Sequence, residues 1–310
     1  MNLTLTAFLN AMPGAVAQGM IWGIMAIGVY ITYRILDIAD MTVDGTLCTG
    51  GAVCVMMMLS GHGVAVSMVA AVLAGMLAGL VTGIFHTFMG IPAILSDILT
   101  QLSLYSINLK IMGKANQALS VRNYDLLVSM NYLKSPLLEN TIFIVFLFVV
   151  ALIALLYWFF GTEMGCGVRA TGSNQNMSRA QGINTKFYTV FGLVLSNGTV
   201  ALAGSLLTQY QGFADVQMGR GSIVIGLAAI IIGKAVFGKL LRGNFALTLT
   251  TVVLGGIVYY IVYQTVILTG LDTDLLKMLS AIVVAIFLAV PYWKKKYFTK
   301  PVVKGGADHA

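Results

Sequence analysis

Long apolar runs alternate with short polar segments along almost the whole sequence. A helix needs about 20 mostly apolar residues to cross a bilayer, so each run predicts a membrane-spanning helix. The runs at 45–60 and 222–238 are short, which favours tilted or re-entrant elements. A further interfacial helix is predicted over residues 1–12. The predicted spans are 13–33, 45–60, 64–88, 91–112, 141–160, 187–209, 222–238, 245–268 and 276–293.

Composition agrees with a chain whose solvent is largely lipid. Of the 310 residues, 58% are hydrophobic and only 9% are charged, whereas a soluble domain carries about 25% charged residues. The apolar runs are also too numerous for a signal peptide. The sequence therefore predicts an all-α integral membrane protein. We expect one polytopic bundle of about 8–10 transmembrane helices over residues 1–310, with room for re-entrant or broken helices.

The basic residues indicate orientation in the membrane. The net charge of +7 is interpreted as a positive-inside signal and not as a nucleic-acid signal. The basic tail at 294–310 follows Tyr292 and Trp293, a pattern that predicts a cytoplasmic C-terminus. Counting back four spans places the polar segment 161–187 on the same side. The side of the N-terminus stays open, because one early apolar run can either cross or dip into the membrane.

No motif for catalysis, metal binding or nucleotide binding is present in the sequence. The three cysteines form no C-x-x-C pair, and the three histidines are scattered. Neither a G-x-S-x-G elbow nor a G-x-x-x-x-G-K-[ST] loop occurs. We therefore expect a protein that is not an enzyme, holds no metal and binds no ATP or other cofactor itself.

Acidic residues are concentrated in the segment 35–51. Asp37, Asp40 and Asp44 are three and four residues apart, which places them on one face if the segment is helical. An ionisable group at membrane depth costs roughly 2.5–3.5 kcal/mol, so each is a functional candidate. Two interpretations remain open for this segment, which includes Thr46. Its carboxylates either cap helices in a turn or belong to the solute pathway or its gate.

A second polar group lies in the apolar run 91–112. Asp97 and Gln101 recur at helical spacing, and Asn108 follows more loosely. These side chains either form hydrogen bonds between helices or line a translocation pathway.

The segment 161–187 is too polar for the bilayer. Gly167 and Gly172 predict a turn, after which Ser173 or Asn174 caps a short helix that runs through Gln181. Gly182 then ends the helix in a left-handed conformation. One face of this helix carries Met177, Ala180 and Ile183, with Arg179 beside it. A small apolar face with basic edges predicts a docking surface for another protein.

This segment resembles the coupling loop of ABC importer permeases of the branched-chain amino acid and ribose type. The early acidic segment 35–51 and the Gly/Ala-rich span 214–238 are similar to elements of the same permeases. Within them, the chain most resembles a branch described as tryptophan or tyrosine importers. The matching coupling-loop positions are Arg169, Gly172, Asn174, Ala180, Gly182, Ile183 and Asn184.

The resemblance implies a set of partners in a bacterial plasma (inner) membrane. Two permease copies, a homodimer, would form the pathway for a small solute. The branch implies an amino acid, and an aromatic or branched-chain amino acid, a sugar and a nucleoside all stay open. Separate ATPase subunits would bind ATP and Mg²⁺ and grip the coupling loops. An extracytoplasmic solute-binding protein or lipoprotein would deliver the solute. The alternative is a stand-alone ion-coupled transporter or channel, with Asp37, Asp40 and Asp97 as its ion site.

Overall fold

The structure is a computed structural model that describes most of residues 5–268. Not described are 121–123, 125, 135–139, 239–240 and 242, and beyond 268 only 278, 281, 282, 285, 286 and 289 are. The described helices are α1 Leu5–Tyr30, α2 Thr42–Leu59, α3 Val64–Thr87, α4 Ala93–Met112, α5 Thr141–Gly161, α6 Glu163–Ser173, α7 Gln175–Ala180, α8 Thr185–Gln211, α9 Ser222–Phe237 and α10 Phe245–Leu268.

Shorter elements complete the described chain. A π-helical turn, Ile31–Leu36, extends α1, and a 3₁₀ helix covers Met130–Lys134. The strands β1 Asn116–Ala118 and β2 Phe213–Asp215 pair antiparallel, with Gln117 opposite Ala214.

The predicted all-α polytopic architecture is confirmed. Within the described residues, six helices are long and apolar enough to cross a membrane: α1 with its π-helical turn, α2, α3, α5, α8 and α10. The more polar α4 and the shorter α9 coincide with two further predicted spans. The prediction of a separate interfacial helix at 1–12 is wrong, because α1 begins at Leu5 and runs without a break. The span at 276–293 is described only at scattered positions, and the tail 294–310 lies outside the described residues.

Helix α8 lies at the centre of the bundle, and small residues bring three other helices close to it. Gly28 of α1 contacts Val200, Gly50 of α2 contacts Ala201, and Gly79 of α3 contacts Leu193. Small residues allow such close approach between membrane helices, where no hydrophobic effect drives association. The order of these contacts shows that α2 runs parallel to α8, whereas α1 and α3 run antiparallel to it.

The bundle has two distinct ends. The β1–β2 pair marks one end, here called the strand end, since it follows α4 and α8. Helices α6 and α7 lie at the opposite end, here called the coupling end, between the end of α5 and the start of α8. The described residues between 113 and 140 and residues 161–187 therefore lie at opposite ends of the bundle. Helix α1 starts at the strand end and finishes at the coupling end.

Burial distinguishes the central helices from the outer ones. About 78% of the most apolar stretch of α8 is buried, compared with 17% of that of α5. The outer surface of α5 is apolar, with Phe146, Leu147 and Val150 exposed. This helix therefore presents a surface suited to lipid, while α1, α2 and α8 form the core.

The close contact at Gly79 gives a prediction about stability. A Cβ atom at Gly79 would lie 2.5 Å from the carbonyl oxygen of Leu193, and backbone cannot move aside easily. We expect Gly79→Ala to destabilise the protein by about 1–3 kcal/mol through overpacking. Thermal unfolding of the detergent-purified protein measures this as a lower Tm. Gly161→Ala is the matched control, since a Cβ there meets nothing within 4 Å; an equal loss in both variants would contradict the packing argument.

Candidate functional site

The acidic segment does not form one helical face. Helix α1 passes into the π-helical turn, which ends at Asp37 with φ of 57°, a left-handed backbone. Residues 37–41, here called the 37–41 linker, are not helical, and α2 begins at Thr42. A shared face for Asp37, Asp40 and Asp44 required a continuous helix, and that condition is not met, because this linker turns the chain between them. Asp37 is exposed, whereas Asp40 is only 2% exposed.

Asp40 is held by two hydrogen-bond donors inside the bundle. Its Oδ1 accepts from the backbone N–H of Thr42 (2.9 Å), and its Oδ2 accepts from Nδ2 of Asn197 (2.8 Å). The other side of the Asn197 amide accepts from Thr46 Oγ1 at 2.6 Å. This network ties the start of α2 to the middle of α8.

Asp97 approaches the same linker from α4. Its Oδ2 accepts from the backbone N–H of Met41 at 3.1 Å, and the side chain is buried. Asp40 and Asp97 therefore lie on neighbouring N–H groups of one short stretch of backbone. Neither carboxylate forms an ion pair with a lysine or arginine in the described part of the chain. The donors that hold the two carboxyl groups are therefore all neutral.

Asp44 joins the start of α2 to the start of α9. Its carboxylate accepts from the N–H of Gly221 (3.0 Å), the N–H of Ile223 (3.1 Å) and Oγ of Ser222 (2.8 Å). The irregular backbone before α9 packs directly on α2, since a Cβ at Gly219 would overlap the Asp44 carbonyl oxygen. Non-helical backbone is tolerated at membrane depth only against protein or water. The predicted spans 45–60 and 222–238 are therefore short because α2 and α9 begin inside the bundle.

The two helix starts explain how the acidic side chains are tolerated. Unpaired N–H groups and the macrodipole give a helix N-terminus a partial positive charge, which stabilises a nearby carboxylate. Asp40 accepts at the start of α2, and Asp44 accepts at the start of α9. Asp40 and Asp44 therefore accept hydrogen bonds at helix starts, as the capping interpretation predicts, although they do so at a buried polar site and not in a solvated turn. Their place in a solute pathway stays a prediction.

The other predicted pathway residues lie around the same helices. Thr46 is buried against Asn197, and Gln101 is half-buried beside Gly45. Asn108 is buried and donates weakly to the Gly45 carbonyl oxygen (3.5 Å), while its Oδ1 has no partner among the described residues. The polar face of α4 is directed inward, with Ser96, Asp97, Thr100 and Asn108 buried.

Asn197 is the site residue that the sequence analysis missed. It is the amide that joins Asp40 to Thr46, and it is fully buried in α8. The available signal was an amide side chain in the middle of the apolar run 187–209. Polar side chains at that depth are functional candidates by default.

The polar segment at the coupling end contains more helix than predicted. Gly167 and Gly172 lie inside α6, so the prediction of a turn there is wrong. Thr162 caps α6 instead, and that helix continues to Ser173. The second half of the prediction is confirmed. Asn174 caps α7 by accepting from the N–H of Met177 (3.0 Å), and Gly182 is left-handed with φ of 81°.

Helix α6 rests directly on the π-helical turn. A Cβ at Gly172 would overlap the carbonyl oxygen of Ile35 and lie 2.7 Å from Cα of Leu36. Only glycine allows this approach. The contact lies immediately before the 37–41 linker, on the backbone that leads to Asp40.

Both arginines of this segment are exposed, and each donates a hydrogen bond back to the protein. Arg169 donates from Nη2 to the carbonyl oxygen of Phe160 at 2.7 Å, and Arg179 donates from Nε to Thr185 Oγ1 at 2.9 Å. Asn184 caps α8 through the N–H of Phe187. The small apolar face of α7 is also outward: Met177 is 60% exposed and Ala180 is exposed, while Ile183, just after the helix, is half-buried.

Comparison with known proteins decides the family. Residues 12–290 match the family described as the permease component of branched-chain amino acid transport systems. The chain belongs to this permease family. It is therefore a multi-pass membrane permease component of an ABC-type transport system.

Individual relatives of this permease carry different names. The tyrosine transport system permease protein of Clostridioides difficile (strain R20291) is 39% identical over 91% of each chain. An uncharacterized protein of Rickettsia prowazekii (strain Madrid E) is 33% identical over 91% of this chain and 98% of its own. An autoinducer 2 import system permease of Yersinia pseudotuberculosis serotype O:1b (strain IP 31758) is 28% identical over 91% of this permease and 72% of its own length.

The Asp44 contacts give a prediction about the stability of the site. All three partners of this carboxylate donate, so the amide NH₂ that Asp44→Asn introduces would face a donor and leave it unsatisfied. We expect a loss of about 1–3 kcal/mol of folding free energy. The measurement is thermal unfolding in detergent. Asp37→Asn makes the same chemical change at an exposed left-handed position that asparagine tolerates, and should leave Tm nearly unchanged. Equal Tm values for the two variants would refute the capping role.

Proposed function

We propose that this permease is the membrane subunit of an importer for an amino acid, with L-tyrosine as the first candidate, and that separate ATPase subunits drive it. Family membership and the 39% identity to a tyrosine transport permease support this proposal. The observation that carries it is the direct contact between α6 and the π-helical turn. The 37–41 linker follows that turn and leads to the backbone N–H groups that Asp40 and Asp97 bind.

The proposed coupling path begins at the exposed face of α7. Met177 and Ala180 offer apolar surface at the coupling end, where a groove on an ATPase would bind them. Displacement of α6 then presses Gly172 against Ile35, and the π-helical turn passes the motion to the 37–41 linker. Packed elements switch between discrete arrangements and do not deform continuously, so the linker is suited to act as a gate.

The chemistry of the linker suits a solute that carries a positive group. Asp40 and Asp97 place two carboxylates on adjacent backbone N–H groups with no basic partner in the described chain. An amino acid has an ammonium group that such a site attracts. In this proposal the ammonium end of the solute passes these carboxylates, and Thr46, Gln101 and Asn108 supply polar surface along α2 and α4.

The proposal includes further partners. A second copy of the permease forms a homodimer around the pathway, and an extracytoplasmic binding protein or lipoprotein delivers the solute. ATP and Mg²⁺ bind the ATPase subunits. The coupling end and the C-terminus face the cytoplasm of a bacterial cell. The largely exposed apolar surfaces of α3 and α5 provide area for both lipid and a second copy.

A second candidate function rests on the same carboxylates. A buried acidic pair without a basic partner in the described residues is also what an ion-coupled transporter uses as its ion site. Such a transporter would need no ATPase.

Reconstitution separates the two functions. The permease is placed in proteoliposomes with the ATPase and binding protein encoded beside it, and uptake of radiolabelled L-tyrosine is measured. We expect uptake only with ATP and all partners, and at least about tenfold lower uptake for Asp97→Asn. The control variant is Asp37→Asn, which should keep uptake within about twofold of the wild type.

One result would decide against the importer, and two others would change parts of the proposal. Uptake by the permease alone, driven by a proton or sodium gradient, would establish the ion-coupled alternative. ATP-driven uptake that Asp97→Asn leaves unchanged would remove the buried carboxylates from the pathway. Uptake of other amino acids, sugars or nucleosides in place of tyrosine would change the proposed solute and leave the ATP-driven importer in place.

A further inference from the structure

A cavity opens at the coupling end, where α5 finishes and α6 begins. Its volume is about 460 Å³, and its lining includes Tyr157, Trp158 and Phe160 of α5, Thr162, Arg169 of α6 and Phe245 of α10. None of the buried carboxylates lines it. This cavity is distinct from the site around Asp40, and the proposed transport function makes no use of it.

Arg169 supplies the charge of the cavity. Its Nη2 donates to the Phe160 carbonyl oxygen (2.7 Å) and lies 3.4 Å from the Cys166 sulfur, and these are its hydrogen bonds in the described chain. It forms no ion pair there, although Glu163 lies exposed on the same helix. The guanidinium is therefore fixed in place while its remaining N–H groups are available to an anion.

The rim of the cavity is aromatic and outward-facing. Trp158 is 72% exposed and Tyr157 is 52% exposed, both in the last turns of α5. Helix α5 is the most apolar of the candidate spans, and a helix of this composition lies in the hydrocarbon layer, so its end would lie at the boundary of that layer. Tryptophan and tyrosine are enriched at that boundary, where their rings lie at the level of the lipid headgroups.

We propose that this cavity binds the headgroup of an anionic phospholipid. The phosphate accepts hydrogen bonds from Arg169, whose planar guanidinium suits phosphate geometry. Trp158 and Tyr157 pack against the glycerol region and the first carbons of the acyl chains. A soluble phosphate would use only the arginine, and the exposed aromatic rim is what points to a lipid. Bound lipid ties the base of α6 to the membrane surface.

Fluorescence of Trp158 tests the proposal directly. The sequence has three tryptophans, so Trp22→Phe with Trp293→Phe leaves Trp158 as the sole emitter. The purified chain is reconstituted in phosphatidylcholine with rising fractions of phosphatidylglycerol, either lipid being brominated near the headgroup. We expect phosphatidylglycerol to quench Trp158 with about fivefold higher relative affinity. Arg169→Gln should abolish this preference, whereas Lys186→Gln, an exposed basic residue outside the cavity, should retain it.

Several results would overturn the proposal. Equal quenching by both lipids is one, and a preference that survives Arg169→Gln is another. An emission change caused by inorganic phosphate in pure phosphatidylcholine, without preference for phosphatidylglycerol, would assign the cavity to a soluble anion. If Arg169→Gln does not fold, the chain that keeps Arg169 and has Trp158 as its sole tryptophan is measured between about 50 mM and about 500 mM NaCl. The preference should weaken with salt, and a salt-independent preference would also contradict the role of Arg169.

Discussion

The structure depends on carboxylates that are placed inside a membrane protein without basic partners in the described residues. Asp40 and Asp44 are stabilised at the starts of α2 and α9, and Asp97 accepts from the linker between α1 and α2. Because helix N-termini supply the compensating positive charge, those helices must begin inside the bundle. The two short spans and the interrupted backbone before each of them follow from that requirement.

The same constraint links the polar site to the coupling end. A continuous helix from α1 into α2 would leave no free N–H groups for Asp40 and Asp97, so the chain passes through a π-helical turn and a short irregular linker. Such a turn is a common feature of functional sites. Here it is also the surface on which Gly172 packs. The proposed ATPase subunits therefore act, through α6, on backbone that is not part of a regular α-helix.

Much of this architecture was predictable from the sequence, because membrane burial makes apolar runs long and unambiguous. The capping of α7 by Asn174 and the left-handed Gly182 were also predictable, since both are local. The linker was not: the spacing of Asp37, Asp40 and Asp44 allowed either one helical face or a turn with capping carboxylates. The partners that fix these carboxylates, Asn197 and the start of α9, are more than 150 residues away. Glycines inside α6 predicted a turn, whereas tertiary contact with Ile35 keeps that helix intact.

The contact between α6 and the π-helical turn is the part of the account that a single measurement tests most directly. ATP-driven uptake and ATP hydrolysis are measured together for Gly172→Val in the reconstituted transporter, with Ser173→Val, an exposed neighbour on the same helix, as the comparison. The account predicts that Gly172→Val retains the ATPase subunits but loses uptake by about tenfold or more, while Ser173→Val stays near the wild type. Full solute uptake in Gly172→Val, with the ATPase bound, would contradict it.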